Sequence, residues 1–169
     1  TRNWLLQIPT SLKMASAEIH GISSDKISTV ERLSDKINEG LDEAASILQA
    51  LQQDADTVDD GWQYRFPLGR VTEQVSLAAK QLTNSFDRLN GEIETLLPVI
   101  EQALEDTPAS QRDVVENWLS VIGSITARLS AGVSLWQNFS QIEVTPPYAR
   151  WVDFSSEGQT EGMEFQLSS

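Results

Sequence analysis

The 169-residue chain contains no cysteine, which excludes disulfides, thiolate zinc sites and cysteine-ligated iron–sulfur clusters within it. One histidine, His20, leaves no multi-histidine metal centre and no basis for a Ser-His-Asp or Cys-His site. Its place before Gly21, at the end of a helical stretch, reads as a solvated or capping residue. Neither GxxxxGK[ST] nor GxGxxG occurs, so ATP binding through a glycine-rich phosphate loop is excluded. Positive charge is scarce: 12 Lys and Arg stand against 25 Asp and Glu, for a net charge of −13. The averaged field then repels phosphate backbones and anionic lipid, against an autonomous DNA-binding module. No uninterrupted apolar run approaches the roughly 20 residues of a membrane span, and the N-terminus lacks a basic-then-apolar leader. The expectation is a soluble, cytoplasmic chain with no membrane partner.

What the chain has is helical periodicity. Over residues 25–53, Ile27, Val30, Leu33, Ile37, Leu41, Ala44, Leu48 and Leu51 recur at intervals of three and four, so they share one face of a long amphipathic helix. Ser23 or Ser24 can cap its start. Polar DADTVDDG opens a loop reaching about Gly69. A second stripe runs from Val71 through Val75, Ala78, Leu82, Phe86, Leu89, Ile93, Leu96 and Ile100 to Leu104, with Pro98 predicted to kink or split it. After DTPAS, with Ser110 as a possible cap, Val115, Trp118, Ile122, Ile125, Leu129, Val133 and Trp136 mark a third helix that fades near Gln141. The segment RNWLLQIPTSLKMASAEI ahead of these predicts a shorter helix, with Pro9 obscuring its limits.

The fold class expected is therefore mainly α: an antiparallel bundle of three to four long helices, because each must bury its stripe and short loops leave few alternatives. Then the period changes. Pro146 and Pro147 stop any helix, residues 149–154 are aromatic and branched, and Met163, Phe165 and Leu167 alternate with polar residues. Two strands joined by SSEGQTEG make a C-terminal β-hairpin. A lone hairpin is marginal in water, so it is expected to join a host sheet outside the chain. This reading divides the chain into a bundle at 1–144 and a hairpin at 145–169. A start at Thr1 and a stop after GMEFQLSS read as an excised piece of something larger.

Candidate chemistry is thin. Asp56, Asp59 and Asp60 lack the alternating oxygen ligands and distal Glu of a calcium loop, so a solvated acidic loop is expected and no metal site. Glu31, Asp35, Glu39, Asp42 and Glu43 read as the charged outer face of the first long helix. Trp118 and Trp136 fall on an apolar stripe and read as core. No catalytic residue is identified. WQYRFPLGR, residues 62–70, is the one place where aromatics and basic charge interleave, the pattern of a single-strand contact. Arg65, Phe66 and Arg70 are the candidates there, with Arg150 beside Trp151 as a further one.

The loop Tyr64–Gly69, the long helices around it and the terminal PPYARWVDF leading into GMEFQLSS together resemble the inserted helical region, the Arch domain, of bacterial DinG-type helicases, relatives of XPD. The resemblance covers nearly the whole chain, through short motifs in a matching order. It implies a parent hydrolase, an ATP-dependent helicase moving 5′ to 3′ on single-stranded DNA in DNA repair, with ATP, magnesium and an iron–sulfur cluster held elsewhere in that parent. The chain has no phosphate-loop lysine, no DEAH motif and no cluster cysteines, so no such residue carries over. The implied role is a non-catalytic wall of a DNA passage, partnered by single-stranded DNA and by the parent's motor and iron–sulfur domains. The alternative is an acidic protein-interaction module with no nucleic-acid role.

Overall fold

The computed structural model describes residues 3–58, 61–155 and 164–168. It is mainly helical, with five helices: α1 (Asn3–Glu18), α2 (Ser24–Leu51), α3 (Glu73–Glu94), α4 (Leu97–Asp106) and α5 (Arg112–Ser140). Four strands, β1 (Asp56–Val58), β2 (Gly61–Arg65), β3 (Trp151–Ser155) and β4 (Glu164–Ser168), complete it. The chain divides into two compact units, each discontinuous in sequence: Thr1–Glu39 with Asn84–Val133, and Gly40–Thr83 with Ser134–Ser169. This differs from a division at residue 144, because residues 145–169 group with segments drawn from three of the helices and from the 52–72 connection.

The first unit contains only helices, and their burial follows the three-and-four spacing. On α1, Leu5, Ile8, Leu12 and Ala15 are buried, and the helix runs through Pro9. Ile27, Val30, Leu33 and Ile37 of α2 are likewise buried, as are Phe86, Leu89 and Ile93 of α3. Ser23 accepts the Lys26 amide at its Oγ (3.2 Å), capping α2. Pro98 splits the long 71–104 stripe: α3 ends at Glu94, and α4 begins at Leu97 with proline in its first turn, where the missing amide costs no helix bond. α5 begins after a tight turn at Ala109–Gln111, which takes in Ser110. The Trp118 indole donates to Glu18 Oε2 at 2.5 Å, and Lys26 pairs with Glu92. Both Trp118 and Trp136 are buried, as their stripe predicts.

The stretch Ala109–Ser140 is long and apolar enough to cross a membrane by length and composition alone, a property shared with core helices. Its Val115, Trp118, Ile122, Leu129, Trp136 and Phe139 are buried within the fold.

The second unit holds the sheet, ordered β1-β2-β3-β4 with every pair antiparallel. Here the expected loop at 54–69 contains two strands, β1 and β2. Gly61–Arg65 pairs with β3 in the register Trp62↔Phe154 and Tyr64↔Val152. The C-terminal hairpin therefore finds its sheet partner inside the chain, which corrects the expectation that such a partner must come from a host. Val152 and Phe154 are fully buried on the apolar side of β3. Phe66 continues that layer with an edge-on contact to Phe139 of α5, ring centroids 6.1 Å apart. Residues 156–162 of the hairpin loop, Met163, and Asp59 and Asp60 of the acidic connection lie outside the described residues.

Candidate functional site

The β2–β3 pair sorts its side chains by the two-residue period of a strand. On the face opposite Val152 and Phe154, the register sets Gln63 across from Asp153 and Arg65 across from Trp151. A hydrogen-bonded ladder runs over that face. Arg65 Nε donates to Gln63 Oε1 (2.6 Å), and Gln63 Nε2 donates to Asp153 Oδ1 (2.7 Å). The Trp151 indole donates to Asp153 Oδ2 (3.1 Å), so one carboxylate orients both an amide and an indole. The Arg65 side chain is exposed and keeps its remaining donors free of any described partner.

The second wall is built by the turn Pro67–Gly69. Gly69 has φ +68°, and a Cβ there would lie 2.0 Å from the Tyr148 carbonyl oxygen, so only glycine lets the turn and the 145–150 segment approach this closely. Leu68 beside it has φ 52°, ψ 25°, a left-handed conformation that costs a branched side chain on the order of 1–3 kcal/mol. It is 92% exposed. Across from it lies VTPPYA, with a cis Thr145–Pro146 peptide. Between the walls is a mostly apolar groove of roughly 520 Å³, lined among others by Arg65, Leu68, Pro147, Tyr148 and Trp151.

Arg150 holds this arrangement together. Although charged, it is 1% exposed, and its guanidinium donates to four backbone carbonyls: Gly69 (2.6 Å from Nε), Asn138 (2.7 Å) and Gln141 (2.6 Å) from Nη1, and Ile142 (2.9 Å) from Nη2. Three of these acceptors lie at or just past the end of α5, where carbonyls lack helical partners and the helix dipole favours a cation. Ser76 Oγ completes the cap by donating to the Ser140 carbonyl at 2.5 Å. Burial pushes the Arg150 pKa down, partly offset by Tyr148, whose ring centroid lies 5.4 Å from the guanidinium carbon. An arginine nevertheless stays protonated.

The four sequence candidates therefore separate. Arg65 is exposed on the groove. Arg70 is exposed but ion-paired with Glu143 at 2.9 Å, just past the glycine turn. Phe66 is 3% exposed, packed edge-on against Tyr64 with centroids 5.2 Å apart. It is core and cannot stack on a strand. Arg150 is likewise corrected from contact to scaffold, because its donors are spent on backbone carbonyls. No local sequence pattern marks Leu68 or Tyr148, which only the pairing of distant segments brings to one groove. His20 is exposed, and no cluster of metal-ligating side chains occurs among the described residues. Comparison with models of known protein families finds no match, and comparison with curated proteins finds none either.

Proposed function

We propose that this chain is a non-catalytic arm contacting single-stranded DNA, the Arch-like part of a DinG- or XPD-type 5′-to-3′ ATP-dependent DNA helicase. One observation carries the contact: the groove joins an exposed guanidinium, Arg65, to the aromatic side chains of Tyr148 and Trp151. That combination suits a polynucleotide without sequence preference, since a cation takes a phosphate while aromatic faces take bases at about 1–3 kcal/mol each. The parent enzyme supplies ATP, magnesium and iron–sulfur chemistry through its motor and cluster domains, and this chain supplies one wall of the passage. With a net charge of −13, binding by the chain alone is weak and local, so the acidic remainder discourages adsorption away from the groove.

The test is fluorescence anisotropy of a labelled 20-nucleotide single strand with the 169-residue chain across a salt series. One neutralised phosphate, at Arg65, gives a log–log salt slope of about −0.7, and Arg65→Ala brings it toward zero. Identical affinity and slope for the variant, or no binding at low salt, overturns the reading. The competing account, an acidic protein-interaction module, draws on Leu6 and Met14, which stand 55% and 60% exposed on α1. It predicts that polar substitutions at those two positions abolish capture of a partner while DNA affinity stays unchanged.

A further inference from the structure

We infer that Leu68 is an apolar wedge that interrupts the base stack of a strand held in the groove, an inference that rests on the single-strand reading above and names how the strand is gripped. Leucine is 92% exposed here, the most exposed of the large apolar side chains among the described residues, and an isolated exposed leucine would by itself need no explanation. Its backbone, however, adopts φ 52°, ψ 25°, which a branched side chain rarely takes. A conformation of this kind persists only when its surroundings over-determine it.

The surroundings do so from both sides. Phe66, two residues before Leu68, is buried, and the Gly69 amide donates to the Phe66 carbonyl at 2.8 Å. The Arg70 amide donates to Pro67 at 2.9 Å, and the buried Arg150 grips the Gly69 carbonyl at 2.6 Å. Leu68 is thus an apolar tip on a fixed base at the lip of a groove that also carries Arg65, Tyr148 and Trp151. Charge selects the occupant: in a chain with about twice as many acidic as basic residues, the exposed charged side chain lining the groove is a cation, Arg65, which favours a polyanion carrying flat apolar groups. An unpaired strand meets that description. Apolar side chains inserted between bases unstack them, and a strand pays that cost least where its bases stack weakly. The wedge therefore predicts discrimination by stacking strength rather than by base identity.

The experiment compares oligo(dT) and oligo(dA) of 20 nucleotides, binding to the full chain in parallel titrations. The wild type binds oligo(dT) several-fold more tightly. Leu68→Gly and Leu68→Asn both suit a positive φ, so they keep the turn while removing the wedge, and the dT/dA ratio falls toward one. Arg65→Ala lowers both affinities alike and leaves the ratio. An unchanged ratio in both Leu68 variants, alongside weakened binding by Arg65→Ala, overturns the wedge and leaves the strand contact standing. A wild type that binds neither oligonucleotide overturns both.

Discussion

The two units of this chain use polar side chains differently. In the helical unit, the cross-links between elements join side chain to side chain, Lys26 to Glu92 and Trp118 to Glu18, over a core set by regular spacing. In the sheet-bearing unit, the principal link is one buried guanidinium bonded to four backbone carbonyls. The difference follows from what the backbone leaves unpaired. Helices satisfy their own interior amides, so apolar stripes suffice to assemble them. A helix end and a glycine turn present carbonyls that regular helix bonding does not satisfy, and a buried donor meets them.

The sharpest way to break this contrast is Arg150→Met, which keeps bulk and removes every donor. The Ile142 carbonyl keeps the Val71 amide and the Asn138 carbonyl keeps the Tyr148 hydroxyl, so Gly69 and Gln141 lose the donor outright; at about 1–3 kcal/mol for each orphaned buried acceptor the loss is on the order of 4 kcal/mol. Urea unfolding followed by tryptophan fluorescence measures it, and amide exchange should quicken most in β2 and β3. Next in size is Gly69→Ala. A methyl group 2.0 Å from a carbonyl oxygen at φ +68° forces the backbone apart, for a loss of about 2–4 kcal/mol. The smallest effect carries the opposite sign and belongs to the helical unit. At Gly91, inside α3, an added Cβ meets nothing within 4 Å, so Gly91→Ala should stabilise by about 0.5–1 kcal/mol in the same denaturation assay.

The same contrast explains what could be read from the sequence. Helix positions, the split at Pro98, the Ser23 cap and the burial of Trp118 and Trp136 all follow from local rules, since a stripe or a cap is decided within a few residues. The pairing of residues 61–65 with 151–155 is decided by partners about 90 positions apart. A signal was nevertheless present: in GWQYRF, Trp62, Tyr64 and Phe66 alternate with Gly61, Gln63 and Arg65, the two-residue period of a strand. The flanking acidic residues and glycine mask it, because they are themselves loop signals. Phe66 reads as a contact residue because it sits where aromatics and arginines interleave, and Arg150 because it stands beside Trp151. Their burial depends on the end of α5 and on Phe139, which no local window contains. Leu68 and Tyr148 share a groove only through the approach of two chain segments at Gly69.

The claim that the groove beside Arg65 receives single-stranded DNA is tested most directly by photo-crosslinking. A 20-nucleotide strand carrying bromodeoxyuridine would be irradiated with the chain at low salt and the adducts mapped by mass spectrometry. Adducts on Tyr148 or Trp151, lost in Arg65→Ala, are the result expected. Adducts confined to α1 or α4, or none at protein concentrations that saturate the anisotropy signal, would contradict it.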